Sequence, residues 1–74
     1  MKKFLIFKTY EPYIDTALER LEKEVNNFLA ADTKYELLGG ATVSPKFEDR
    51  RSDCGIITEF KGYYAIQTLK LKEE

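Results

Sequence analysis

Histidine and tryptophan are both absent from this 74-residue chain, and cysteine occurs once, at Cys54. Without histidine the common zinc sites and the histidine-based acid–base mechanisms cannot be assembled. A single cysteine excludes a disulfide within the chain and fits a reducing compartment. Neither sign of charge dominates: 12 basic residues face 13 acidic ones, for a net charge of -1. That balance disfavours a polyanion binder and makes nucleic acid an improbable partner. No apolar run approaches the roughly 18 residues needed to span a bilayer. The N-terminal run, Phe4-Leu5-Ile6-Phe7, stops at Lys8, far short of the about 7–15 residues of a signal-peptide core. A soluble, cytoplasmic protein without a membrane partner is the expectation.

What is present is a single domain, 1–74, of marginal size. A chain this short buries only about 60–65% of its unfolded surface. Small domains often compensate with disulfides, metals or oligomers. With the first two disfavoured by composition, assembly remains. The first strand, about Lys3 to Thr9, sharpens the point. Neighbouring side chains of a strand point to opposite faces, so Phe4 and Ile6 need cover on one side and Leu5 and Phe7 on the other.

Only one segment can supply cover as a helix. Ile14, Ala17, Leu18, Leu21, Val25, Phe28 and Leu29 recur at helical spacing, with Glu19, Arg20, Glu22, Lys23 and Glu24 opposite. Glu11-Pro12 marks its start, with proline at the first helical position. It either frays near Asn26-Asn27 or runs to about Ala31, and Asp32-Thr33 ends it. A second strand reads Lys34 to Val43, interrupted by Gly39-Gly40, which predicts a bulge or a close approach of backbone or ligand. Ser44–Asp53 is charged and aperiodic and reads as a loop. A third strand spans Cys54 to Phe60 and a fourth Tyr63 to Leu71, joined at Lys61-Gly62 as a tight hairpin turn. The predicted fold is therefore α+β and two-layered. One helix packs on a mainly antiparallel sheet, in the order β-α-β-β-β.

Chemistry-bearing residues are sparse. Lys46, Arg50 and Arg51 could grip a phosphate or carboxylate, although Glu48, Asp49 and Asp53 sit among them. Phe47 is an aromatic within a charged segment, suited to anchoring over the open sheet face or docking on a partner. Tyr64 and its neighbour Tyr63 must face opposite sides of the sheet, and the one on the open side can stack on a flat ligand. Gly39 and Gly40 form no phosphate-binding fingerprint. Cys54 reads as a small buried residue. No catalytic residue, metal site or cofactor is indicated.

The segments Glu24-Val25-Asn26-Asn27-Phe28-Leu29, Tyr35-Glu36-Leu37-Leu38-Gly39-Gly40-Ala41-Thr42-Val43-Ser44 and Tyr63-Tyr64-Ala65 together resemble a small domain of unknown function found in bacteria and phages. Its members show a "Val-Asn-x-hydrophobic" helix end, a "Trp-Glu-Leu-x-Gly-Gly-Val-x-Val" strand and a closing "Tyr-Tyr-Gln-Ala" strand. A small sporulation-associated protein is distantly similar. Tyr35 stands where tryptophan is usual, and Ala65-Ile66 departs from the glutamine-alanine pair. The stretch from about Pro45 to Phe60 lies outside the resemblance.

Three expectations follow. The first is a non-enzymatic homo-oligomer that binds through its sheet face and the 44–53 segment. The second is a binder of small anionic ligands, nucleotides or phosphorylated metabolites, with sites between subunits, motivated by Lys46, Arg50, Arg51 and Tyr64; the candidate ligand- or partner-binding residues of the two readings together are Gly39, Gly40, Lys46, Phe47, Arg50, Arg51 and Tyr64. The third is a phage-type inhibitor of a host protein.

Overall fold

The computed structural model describes residues 2–72. Its elements are β1 (Phe4–Glu11), α1 (Ile14–Ala31), β2 (Tyr35–Ser52) and β3 (Gly55–Leu71). The sheet has three strands in the order β1-β3-β2, and both pairings are antiparallel. The α+β class and the single covering helix are as the sequence pattern predicts; the β-α-β-β-β order is not. The predicted third and fourth strands are one continuous strand, β3, and the predicted 44–53 loop is the outer half of β2.

Two local features explain these corrections. The real turn is Asp53-Cys54, flanked by the pair Ser52–Gly55. Serine at the first position and glycine at the fourth favour a type I turn, and neither central residue adopts positive φ. The Ser52 hydroxyl accepts from the Cys54 N–H at 3.3 Å and donates to Gly55 O at 3.1 Å. Lys61-Gly62, by contrast, is a bulge: Lys46 pairs with Gly62 and Phe47 with Phe60, leaving Lys61 unmatched. Gly62 has φ +147, and a Cβ there would lie 2.6 Å from Glu11 O and 2.9 Å from Pro12 Cα. Glycine lets the end of β1 approach β3.

Pro12 ends β1 rather than beginning α1. The residue before a proline is driven to extended conformations, so Glu11 stays paired with Tyr63. Tyr13 becomes the N-cap, with the Ala17 N–H donating to its carbonyl at 3.0 Å. At the other end the Asp32 N–H donates to Phe28 O at 2.8 Å. The Asp32 carboxylate accepts from the Lys34 N–H at 3.0 Å and turns the chain into β2.

The core lies between α1 and one sheet face. Ala17, Leu21 and Val25 meet Tyr35, Ala65 and Leu69, with Leu5, Phe7, Leu18, Phe28, Leu29 and Leu71 around them. The Phe28 ring sits between Phe7, at 5.2 Å, and Tyr35, at 5.7 Å. Buried polar atoms are matched: Thr9 Oγ1 donates to Ala17 O at 2.8 Å, and Gln67 Nε2 to Gly39 O at 3.1 Å. The second contact holds the Gly39-Gly40-Ala41 bulge, three residues of β2 opposite Gln67 alone. Gly39 has φ +71 there.

The body accounts for only part of the molecule. Beyond Lys46 and Gly62, β2 and β3 continue as a two-stranded arm with no third strand and no helix against it among the described residues. The molecule measures 59 × 22 × 17 Å, with a radius of gyration of 16.1 Å. A compact chain of this length has a radius of about 11 Å.

Candidate interaction surfaces

The alternation of β1 divides its side chains as the sequence predicts. Leu5 and Phe7 pack on the core, whereas Phe4 is 58% exposed and Ile6 70%. The outer face carries, strand by strand, Phe4, Ile6, Lys8 and Tyr10 on β1, Tyr64, Ile66 and Thr68 on β3, and Leu38, Thr42 and Ser44 on β2. No element among the described residues covers it. The 44–53 segment does not roof this face, because it extends the sheet in its own plane.

Tyr64 sits on that face beside Tyr10, with ring centroids 5.7 Å apart. Lys8 Nζ lies 4.7 Å from the Tyr64 centroid, and Lys46 Nζ lies 4.7 Å from Tyr10 and 5.9 Å from Tyr64. Ammonium groups over tyrosine rings are favourable contacts. Lys46 also pairs with Glu48 at 3.3 Å. The Glu48 carboxylate, and then Tyr64, raise the lysine pKa above its ordinary value.

Along the arm, partners in register share a face. Phe47–Phe60, Asp49–Thr58 and Arg51–Ile56 occupy the helix side; Glu48–Glu59 and Arg50–Ile57 occupy the outer side. The Phe60 ring fixes the assignment, lying 5.0 Å from Tyr63 and 5.7 Å from Phe47. The two adjacent arginines therefore diverge. Arg50 pairs with Glu59 at 3.1 Å on the outer side, and Arg51 projects from the other. Lys61 donates to Glu59 at 2.9 Å, and that hydrogen bond raises its pKa.

Of the residues singled out in the sequence, Lys46, Arg50 and Tyr64 share the outer face, while Phe47 and Arg51 lie on the helix side. Gly39 and Gly40 form the bulge across the body from the arm. Phe47 is 56% exposed rather than tucked against the sheet. Cys54 is exposed at the arm's tip, not buried.

Sequence reasoning missed the surface role of Ile56, Ile57 and Phe60, which are 68%, 41% and 49% exposed. They fall within the predicted third strand, Cys54 to Phe60, whose pattern does not say whether its apolar side chains are covered. The signal that could have found them is the Ser52-x-x-Gly55 turn, which makes the two flanking segments a ribbon outside the body. An apolar groove of about 410 Å³ runs between α1 and β2, lined by Leu18, Leu21, Val25, Leu37 and Ala41 among others. The helix packs mainly over β1 and β3, which leaves its β2 side open.

No family model matches this chain, and no curated protein or solved structure matches it either. No helix among the described residues is long and apolar enough to cross a membrane.

Proposed function

We propose that this chain is a small non-enzymatic binding protein that acts as a homo-oligomer. One observation carries the reading: a two-stranded arm, bearing exposed Phe47, Ile56, Ile57 and Phe60, projects from the body with no other element among the described residues against it. An isolated two-stranded ribbon is marginal in water and gains stability from a third strand or a packed face. The uncovered outer face, with Phe4 and Ile6, adds to the demand for cover. A cytoplasmic setting accords with the single cysteine and a bacterial or phage one with the resemblance of the helix end and closing strand. Light scattering coupled to size-exclusion chromatography across a dilution series tests it. A chain that stays folded and monomeric from low to high micromolar concentration would refute it.

A second reading has its own observation. Tyr64, flanked by Lys8 and Lys46, offers a ring for stacking beside two ammonium groups, suited to a nucleotide or phosphorylated metabolite held between subunits. Against it, Lys46 and Arg50 are engaged by Glu48 and Glu59, and Arg51 faces away. A thermal-shift screen with nucleotides separates the two readings: a raised midpoint that Tyr64→Ala abolishes supports the ligand, and no shift with any nucleotide excludes it. Inhibition of a host protein shares the same exposed surfaces and has no separate observation in its favour.

A further inference from the structure

β3 has two stretches with different neighbours. From Tyr63 to Lys70 it lies between β1 and β2; from Gly55 to Phe60 it has β2 on one side only, because β1 ends at Glu11 opposite Tyr63. A two-residue turn makes the flanking Ser52–Gly55 pair the hydrogen-bonded kind, and the kinds alternate along an antiparallel ladder. The backbone groups of Ile56, Thr58 and Phe60 therefore turn away from β2. They form an open row of donors and acceptors, which is a template for another strand.

The arm's two edges differ sharply. The β2 edge carries Pro45, Lys46, Glu48, Asp49, Arg50 and Arg51, the residue types that discourage strand addition. The β3 edge reads Gly55-Ile56-Ile57-Thr58-Glu59-Phe60, with one charge, and that charge already holds Arg50 and Lys61. One side is guarded and the other is not.

We propose that the β3 edge pairs with the same edge of a second copy of this chain, antiparallel, about a two-fold axis at Thr58. This rests on the self-association reading and specifies its surface. The occupant follows from the register. With the axis at Thr58, Ile56 stands opposite the partner's Phe60, and Phe60 opposite the partner's Ile56. Aromatic and β-branched residues are favourable cross-strand partners. All the outward backbone groups of Ile56, Thr58 and Phe60 are met on both copies. A slide of one step towards the body sets Glu59 against the partner's Glu59 and drives the partner's turn into β1. A slide the other way leaves Phe60 opposite a turn residue. The Thr58 register is the deepest that the free stretch admits.

The same register explains a further feature. It brings each turn beside the partner's Gly62, where Pro12 and the 73%-exposed Tyr13 leave β1. Tyr13 caps α1 without any side-chain hydrogen bond. Asp53 of one copy thereby approaches the positive end of the other's helix, a favourable place for a carboxylate.

Single-cysteine variants test the register. In a Cys54→Ser background, Thr58→Cys places two thiols across the axis. Their Cα atoms would be about 5.5 Å apart in a hydrogen-bonded pair, within the range that a disulfide bridges. Mild oxidation should convert Thr58→Cys to a covalent dimer and leave Asp49→Cys, on the opposite edge of the same arm, monomeric under denaturing conditions. Thr58→Pro removes an outward N–H, together with the exposed hydroxyl that donates to Asp49 Oδ1 at 2.8 Å, and should reduce the mass in solution from twice 8.6 kDa to 8.6 kDa, with the helical circular dichroism unchanged. An oligomeric parent whose Thr58→Pro variant stays oligomeric, or whose Asp49→Cys variant cross-links as readily as Thr58→Cys, overturns the β3 edge and leaves self-association standing. A parent that is monomeric at high concentration removes both.

Discussion

Gly62 is the position where one added methyl group should matter most. Its φ of +147 lies where L side chains are rarely found, and the Cβ of an alanine would meet Glu11 O at 2.6 Å and Pro12 Cα at 2.9 Å. Both neighbours are backbone, and Glu11 is held in register by Tyr63, so neither can yield without unpairing the end of β1. Holding a non-glycine residue in a sparsely populated backbone region costs about 1–3 kcal/mol. Forcing extra volume into a packed site costs a further 1–3 kcal/mol or so. Gly62→Ala should therefore destabilise the protein by about 2–6 kcal/mol, a large part of the roughly 4–11 kcal/mol expected for a chain of this length. For a small domain each kcal/mol shifts Tm by about 4–8 °C, so the melting temperature should fall by at least about 8 °C. Gly40→Ala is the control: that site has ordinary φ and no atom within 4 Å of an added Cβ. Both variants should be unfolded in urea and by heat at one protein concentration, since association couples stability to concentration. If Gly62→Ala and Gly40→Ala unfold within about 0.5 kcal/mol of each other, the ordinary spread of harmless surface changes, then the close approach of β1 to β3 is not what fixes this glycine.

The other expectations concern the two faces, the bulge and the arm. Leu5→Ser should lower stability by about 2 kcal/mol, because Leu5 packs on the core; Ile6→Ser, 70% exposed, should leave the unfolding midpoint of a monomeric variant unchanged. Gln67→Leu removes the donor to Gly39 O and should cost about 1–3 kcal/mol, with faster amide exchange confined to the Gly39-Gly40-Ala41 bulge. Lys46 and Lys61 are held protonated by Glu48 and Glu59. A folded pKa above the unfolded one gives a contribution complete below the unfolded value and lost as pH rises through the folded value. Side-chain NMR titration should accordingly show both lysines deprotonating later in the folded protein than in urea, and Glu59→Gln should abolish the difference for Lys61. Replacing 47–60 by a short turn should leave the helical circular dichroism intact, abolish association and make the melting temperature independent of protein concentration.

The sequence pattern revealed the body better than the arm. The stripe from Ala17 to Leu29 specified α1, because its period reports a face buried in the same chain; β1, apolar on both faces, separated Phe4 and Ile6 from Leu5 and Phe7 without saying which pair the helix covers. The arm defeats that logic. None of its residues from Phe47 to Phe60 is buried within the monomer, so Lys46 to Ser52 show no alternation and read as loop. Lys61-Gly62 imitated a turn because glycine serves a turn and a close backbone approach equally well, and only the Glu11 contact tells them apart. The proposed anion grip treated Arg50 and Arg51 as neighbours; strand pleating sends them to opposite faces.

Topology explains why the arm can be separate in purpose from the body. β1 and β2 run in the same direction with β3 between them, so the last strand in sequence is the middle strand in space, and the crossing helix leaves a slot that only β3 fills. To fill it, the chain need only reverse between Lys46 and Gly62, which already stand opposite one another. Instead it continues outward to Ser52, turns and returns. None of the buried core residues, Ala17, Leu21, Val25, Tyr35, Ala65 and Leu69, comes from that excursion. A ribbon that contributes nothing to the core yet keeps isoleucine and phenylalanine on its surface lowers solubility and adds entropy to be lost on folding. On the proposed reading those penalties are offset by cover of the ribbon, and the bare β3 edge beside a guarded β2 edge is where that cover would attach.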